Sequence, residues 1–182
     1  NKKLIIGFDP KLFTKKNFEI FFSKSNCKFI PLKKNLVDEI WKRKIKKNNN
    51  KFYKLPSDSF SKDHKSKIKV TTKFLKKVKA DFLFITASEN NSWLLNIRGR
   101  DTEYTPIANS YILIEKNNKI KFFCDLKKIS FSFKKYFNKI EFAEIGSVDK
   151  VLSHISKKKF IIDRNTFSHH FENLILKKNQ IL

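Results

Sequence analysis

Residues 93–106, WLLNIRGRDTEYTP, concentrate the side chains best able to do chemistry. Trp93, Arg98, Gly99, Arg100, Asp101, Glu103, Tyr104 and Pro106 fall together against a background of Lys, Asn, Ile and Phe. The chain has only four arginines, Arg43, Arg98, Arg100 and Arg164, and two of them flank Gly99. A lysine would serve solubility as well. A guanidinium adds a planar fork that grips a carboxylate or phosphate through two parallel hydrogen bonds. Two compatible readings follow. One is an Arg–Asp clamp fixing a long loop that turns sharply at Gly99. The other is a loop that presents Arg or Tyr104 to a ligand or a neighbouring domain.

Other catalytic patterns are missing from the sequence. Three glycines cannot supply GxGxxG or a P-loop. His64, His154, His169 and His170 lie in no HExxH motif and beside no Cys cluster. His169 and His170, adjacent on a helix, point about 100° apart, so a solvated helix face is expected there rather than a metal site. The seventeen acidic residues are scattered, which argues against a two-metal carboxylate centre within this chain. No serine has a nucleophile-elbow context. Cys27 and Cys124 lie far apart, as expected for buried free thiols. The sequence therefore offers no catalytic residues and no metal ligands of its own.

The elements that must carry residues 93–106 follow from periodicity and turn chemistry. Residues 4–7 read as a strand ending in a Gly-Phe-Asp-Pro turn. A helix over 14–25 follows, with Phe13, Phe18, Phe21 and Phe22 as its core stripe. Residues 28–31 form a strand. Residues 36–44 form a helix with Leu36, Val37, Ile40 and Trp41 on one face. Residues 46–60 lose all hydrophobic period and read as a solvated linker. The next helix begins near Ser61, and 81–87 is a strand. Ser88 caps a helix over 89–95, with Trp93, Leu94 and Leu95 packing on the sheet. Strands 110–115 and 119–124 form a hairpin around Asn117-Asn118. Helices over 127–138, 148–155 and 165–176 alternate with strands 140–145 and 160–163. The class is α/β, and the hairpin makes the sheet mixed.

Composition sets outer bounds. A 40% apolar content with twenty Phe supports a packed core. No apolar run is long enough for a membrane-spanning helix. The formal charge of +24 suits a nucleic-acid or anionic-membrane binder. Nearly all the excess is Lys, however, spread along the whole chain. That pattern reads as compositional bias, with loose polyanion binding at low salt.

WLLNIRGRDTEYTPIANSYILI resembles the second-domain signature of the three-domain Xaa-Pro aminopeptidases (aminopeptidase P), close to W-L-L-N-L-R-G-S-D-x-x-Y-N-P-V-F-F-S-Y. Ile6-Gly7-Phe8-Asp9-Pro10 is similar to the family's G-V-D-P turn. Residues 31–41 are similar to P-V-x-x-N-L-V-D-x-I-W. Residues 79–87 resemble the strand leading to T-A-L-D-E-I-A-W. These matches run in order over roughly residues 4–126, with weaker support to about 170. Arg100 stands where the family commonly has Ser. Ala108-Asn109 replaces an aromatic pair, and residues 88–92 replace L-D-E-I-A.

The resemblance implies a creatinase amino-terminal-like, ribonuclease-H-like mixed sheet flanked by helices, preceded by a β-α-β-α remnant of a similar domain. It sets residues 1–45 as the end of a first domain, 46–60 as linker and 61–182 as a second domain. It implies a cytoplasmic, homodimeric parent that removes an amino-terminal residue preceding proline from peptides. The parent's two divalent ions, usually manganese, are held by Asp, Asp, His, Glu and Glu in a pita-bread domain whose motifs are not found here. Within this excerpt, Arg98, Arg100, Asp101 and Tyr104 are expected to gate substrate or contact that carboxyl-terminal domain. The alternatives are a basic nucleic-acid-binding module, which needs Arg98 and Arg100 on one positive face, and a degenerate creatinase-like interaction domain. On the preferred reading there is no specific nucleic-acid partner, no membrane partner and no cofactor in this chain.

Overall fold

The computed structural model describes residues 4–41 and 48–182. Two compact units emerge. The first comprises the described residues up to 41 with Asp163–Asn173; the second comprises Asn48–Ile162 with Leu174–Leu182.

In the first unit, strand β1 (Ile5–Phe8) and strand β2 (Lys28–Pro31) pair in parallel. Helix α1 (Lys15–Phe22) crosses between them, as a parallel pair requires. Thr14 caps α1 by accepting from the Asn17 amide at 3.0 Å, and Asn35 caps helix α2 (Leu36–Ile40) in the same way. Phe8, Phe13, Phe18, Phe22 and Phe29 form an aromatic cluster with centroid separations of 4.4–6.2 Å. The His169 ring stacks on Phe18 at 6.1 Å, and its amide donates to the Phe13 carbonyl at 2.7 Å. His169 therefore packs among aromatics instead of facing solvent. Phe21 departs from the expected core stripe and is 67% exposed. No side chain of β1, α1, β2 or α2 is fully buried.

The second unit adds strand β3 (Tyr53–Lys54), helix α3 (His64–Lys77), strand β4 (Phe82–Ile85), helix α4 (Ser88–Leu95) and strand β5 (Ile97–Arg98). Strand β6 (Tyr111–Glu115), strand β7 (Ile120–Cys124), helix α5 (Phe131–Tyr136), strand β8 (Ile140–Glu144), helix α6 (Val148–His154) and strand β9 (Lys159–Ile161) follow. Helix α7 (His169–Leu176), whose residues 169–173 fall in the first unit, and strand β10 (Gln180–Ile181) complete the order. The six-stranded sheet runs β10-β9-β4-β6-β7-β8. Its β4–β6 and β6–β7 pairs are antiparallel and the others parallel. The β6–β7 hairpin closes as its sequence demanded, with Asn118 at φ 69°.

Both sheet faces are buried, which explains the near-continuous apolar strands. Ile112, Ile114, Ile120, Phe122 and Cys124 point into the main core with Leu75, Leu95 and Phe133. Phe84, Leu113, Phe123 and Phe160 are buried on the opposite face. Asp81 ties three strands at one end. Its carboxylate accepts from the Lys159 amide at 3.0 Å and pairs with the Lys116 ammonium at 2.8 Å. Its backbone exchanges hydrogen bonds with Lys159 and Lys116. The Lys116 hydrogen bond, then that of the Lys159 amide, holds this carboxyl below its ordinary range.

Several boundaries differ from the sequence reading. The stretch read as solvated linker supplies Phe52, which is 3% exposed and enters the core, while Tyr53–Lys54 pairs with β5. Two residues are too short a strand to leave a periodic signal. Asp63, not Ser61, caps α3 by accepting from the Ser66 amide at 2.7 Å. The helix expected over 127–138 splits into a 3₁₀ turn (Leu126–Lys128) and α5, because Ser130 caps a new start. Cys124 is a buried free thiol and Cys27 a half-buried one.

His64, at the start of α3, is 6% exposed and lies 4.9 Å from the Phe137 ring. Burial is the main cause that lowers its pKa below 6.5; Lys65 and Lys67 add to this and Asp63 opposes it. The unfolded chain therefore binds this proton more readily, and the His64 contribution to stability is intact above about 6.5 and is lost as pH falls below that, through the lower folded value. Urea unfolding between pH 8 and 5.5 should show that loss, and His64→Gln should flatten this part of the profile.

Candidate functional site

Helix α4 aims residues 93–110 through a polar stripe. Ser88, Asn91 and Ser92, at i, i+3 and i+4, share one face. Ser88 Oγ accepts from the Ser110 amide at 3.2 Å, and Asn91 Nδ2 donates to the Ser110 carbonyl at 2.8 Å. Ser92 Oγ accepts from the Ala108 amide at 3.3 Å. Ser88 thus does not cap α4; Ala87 holds the N-cap position with no side-chain bond. The Asn91 Oδ1 atom is buried without a partner among the described residues. Leu94 and Leu95 enter the core, but Trp93 is 62% exposed, since three consecutive helical residues cannot all face one side.

Asn96 ends α4 in the left-handed region at φ 54°, a conformation Asn tolerates. Its Oδ1 accepts from the Lys67 ammonium, and its Nδ2 donates to the Lys62 carbonyl at 3.0 Å. Lys67, only 7% exposed, also donates to the Trp93 carbonyl at 2.6 Å and lies 4.1 Å over the Trp93 ring. A cation here complements the negative end of α4. Burial first, and the Arg98 guanidinium second, push the Lys67 pKa below its ordinary value. Lys67, Trp93, Asn96 and Arg98 line a hollow of about 340 Å³.

Beyond β5 the chain forms a compact excursion. Gly99 is buried with no positive φ. A Cβ there would lie 2.8 Å from Ala108 Cα and 2.9 Å from the Ile107 carbonyl oxygen. Close backbone approach, not a sharp turn, requires glycine. Asp101 forms the ion pair expected of this loop, but with Lys128 of the 3₁₀ turn rather than with an arginine. The two side chains are 3% and 12% exposed. The other Asp101 oxygen accepts from the Asn109 amide at 2.8 Å. Lys128 also faces the Phe52 ring, and its carbonyl receives the Phe52 amide at 2.9 Å.

The four predicted loop residues therefore separate. Asp101 is the buried anchor. Arg98 is half-buried in β5, donating to the Ile97 carbonyl at 2.8 Å. Arg100 is exposed, and its carbonyl accepts from Asn48. Tyr104 stands at the tip, 97% exposed at φ 61°. The site can bind and orient, but it assembles no nucleophile and base. The Cys124 thiol, pushed up to about 12 mainly by burial, is inert at neutral pH. Among the described residues no group of three or more His, Cys, Asp or Glu could hold a metal ion, and no helix is long and apolar enough to cross a membrane. Sequence reading missed Lys67, Asn91, Asn96 and Lys128. Asn91 was detectable from the Ser88/Asn91/Ser92 spacing and Asn96 from its place after the helix.

Residues 43–182 match the Creatinase/Prolidase N-terminal domain. The chain belongs to this family. The Xaa-Pro aminopeptidase ApepP of Drosophila melanogaster is 28% identical over 192 residues, spanning 99% of this chain and 31% of its own length. Aminopeptidase P1 of Lotus japonicus is 28% identical over 152 residues, 81% of this chain and 23% of its own. The creatinase-like chain thus spans about a third or less of these curated relatives. The X-prolyl aminopeptidase of Caenorhabditis elegans, a cytosolic enzyme with a di-nuclear active site, has the same fold. Its structure aligns with 100% of this chain and 32% of its own, at a TM-score of 0.84 and 23% identity. The mixed sheet and flanking helices are those of a creatinase-type amino-terminal region.

Asp101→Asn should destabilise the chain by about 3 kcal/mol, because it leaves the Lys128 ammonium buried without its counter-charge. Adding Lys128→Met should recover about half of that loss in urea denaturation. Gly99→Ala should cost about 1–3 kcal/mol through overpacking against Ala108.

Proposed function

We propose that this chain is a non-catalytic amino-terminal and middle region of a metal-dependent Xaa-Pro aminopeptidase. The observation that carries the proposal is the match of 99% of the chain to 31% of the Drosophila Xaa-Pro aminopeptidase. On this reading, residues 1–45 close a first creatinase-like domain, 46–60 link, and 61–182 form a second. The parent acts in the cytoplasm as a homodimer and hydrolyses the bond between a first residue and a following proline. Two divalent ions, manganese by family precedent, would activate water and stabilise the developing charge there. This chain's described residues supply no ligand set for them.

The role assigned to the chain is to shape access. Asp101, buried and paired, holds the excursion after β5 in one conformation. Arg100 and Tyr104, both exposed, present a guanidinium and a phenol from that rigid base. Arg98 lies beside Lys67 in a cationic hollow. Such groups suit a peptide carboxylate or a facing domain.

The 182-residue chain assayed with manganese and an Xaa-Pro tripeptide should release no amino acid; robust cleavage would sink the excerpt reading. In the complete gene product, Tyr104→Ala with Arg100→Ala should raise KM several-fold with kcat held. Unchanged kinetics and unchanged oligomeric state would remove the gating and interdomain roles.

A further inference from the structure

A separate cavity of about 190 Å³ lies in the second unit between the start of α3, the β6–β7 turn and the α5–β8 connection. Its walls are Ile68, Ile120, Phe137 and Ile140, each at most 8% exposed. An apolar cavity of about 150 Å³ is enough to take one benzene ring. Polar side chains interrupt the hydrocarbon: His64, and towards the turn and the α5–β8 connection Asn118, Tyr136 and Asn138. His64 lines the cavity, is 94% buried, and makes no side-chain hydrogen bond among the described residues. At the mouth stand Lys65, Lys69 and Lys139, all exposed.

We propose that this cavity is a binding site for a small aromatic monocarboxylate, with its ring against Ile68, Ile120 and Phe137 and its carboxylate between the His64 imidazole and the rim lysines. The apolar walls account for the ring. The His64 imidazole, in the lining and without a protein hydrogen bond among the described residues, supplies a donor at the wall. The lysines favour a negative head group over a neutral one. Burial keeps the imidazole uncharged at neutral pH, so it donates one N–H while the lysines carry the charge. The site is independent of residues 93–106 and requires no aminopeptidase activity.

The test is an amide-shift titration of the 182-residue chain with phenylacetate, benzyl alcohol and acetate at physiological salt. Phenylacetate should saturate one site, with shifts centred on residues 64–69, 118–120 and 136–140. Benzyl alcohol should bind about tenfold more weakly, the difference expected for losing a charge-assisted contact. Acetate should leave these residues unmoved. Ile68→Trp, which fills the cavity, should abolish saturation. If that variant does not fold, Lys69→Glu on the exposed rim should weaken phenylacetate several-fold and spare benzyl alcohol. Equal binding of the alcohol would overturn the head-group assignment. Shifts from acetate of the same size would reduce the effect to net charge, and absence of saturation would show a cavity that holds water alone.

Discussion

The buried pair between Asp101 and Lys128 organises everything around residues 93–110. A carboxylate leaves water only when its lone pairs find donors, and Asp101 finds two: the Lys128 ammonium and the Asn109 amide. Each donor comes from a different part of the chain. Lys128 follows β7, whereas Asn109 precedes β6. Lys128 in turn receives the Phe52 amide, which brings the segment ahead of β3 into the same knot. Arg98, Arg100 and Tyr104 inherit their positions from this anchor. Gly99 allows the anchored backbone to lie against Ala108 without a side chain between them.

The same region carries a second polar lock with a different purpose. Lys67 gathers the Trp93 carbonyl, the Asn96 amide oxygen and the Trp93 ring, and so fixes α3 to the end of α4. Ser88, Asn91 and Ser92 fasten the opposite side of α4 to the strand entering at Ser110. The helix is held from both sides by hydrogen bonds rather than by hydrophobic contact alone. Among the described residues no cluster could hold a metal ion, and what this arrangement offers is position and shape.

Much of this was legible in the chain itself. The long apolar runs, the Asn117-Asn118 hairpin and the alternation of helices and strands gave the mixed α/β sheet, because they depend on local period and turn chemistry. The candidate loop was marked by composition. Its partner was not: Lys128 lies 27 residues from Asp101, and among so many lysines nothing distinguishes it. Arg98 and Arg100 looked like a pair by spacing, and in a continuous strand residues two apart would share a face; β5 ends at Arg98, so the half-buried Arg98 and the exposed Arg100 are not held as a pair. Phe52 was hidden because a two-residue strand carries no periodic signal. Trp93 was misplaced for lack of the helix's rotational phase.

The first unit has a consequence for the behaviour of this polypeptide in solution. Ile5, Ile20, Phe21, Ile40 and Trp41 stand exposed around a two-stranded parallel pair whose outer edges carry no further strand among the described residues. Bare edges and apolar flanks favour association between molecules. The opposing force is the charge of +24, which keeps copies apart over a distance set by ionic strength. For this unit, long-range repulsion between copies is what opposes that short-range adhesion. As salt shortens that range, from about 30 Å at 0.01 M to about 8 Å at physiological strength, short-range adhesion takes over. Concentration and buffer, more than temperature, then set how long the chain stays dispersed.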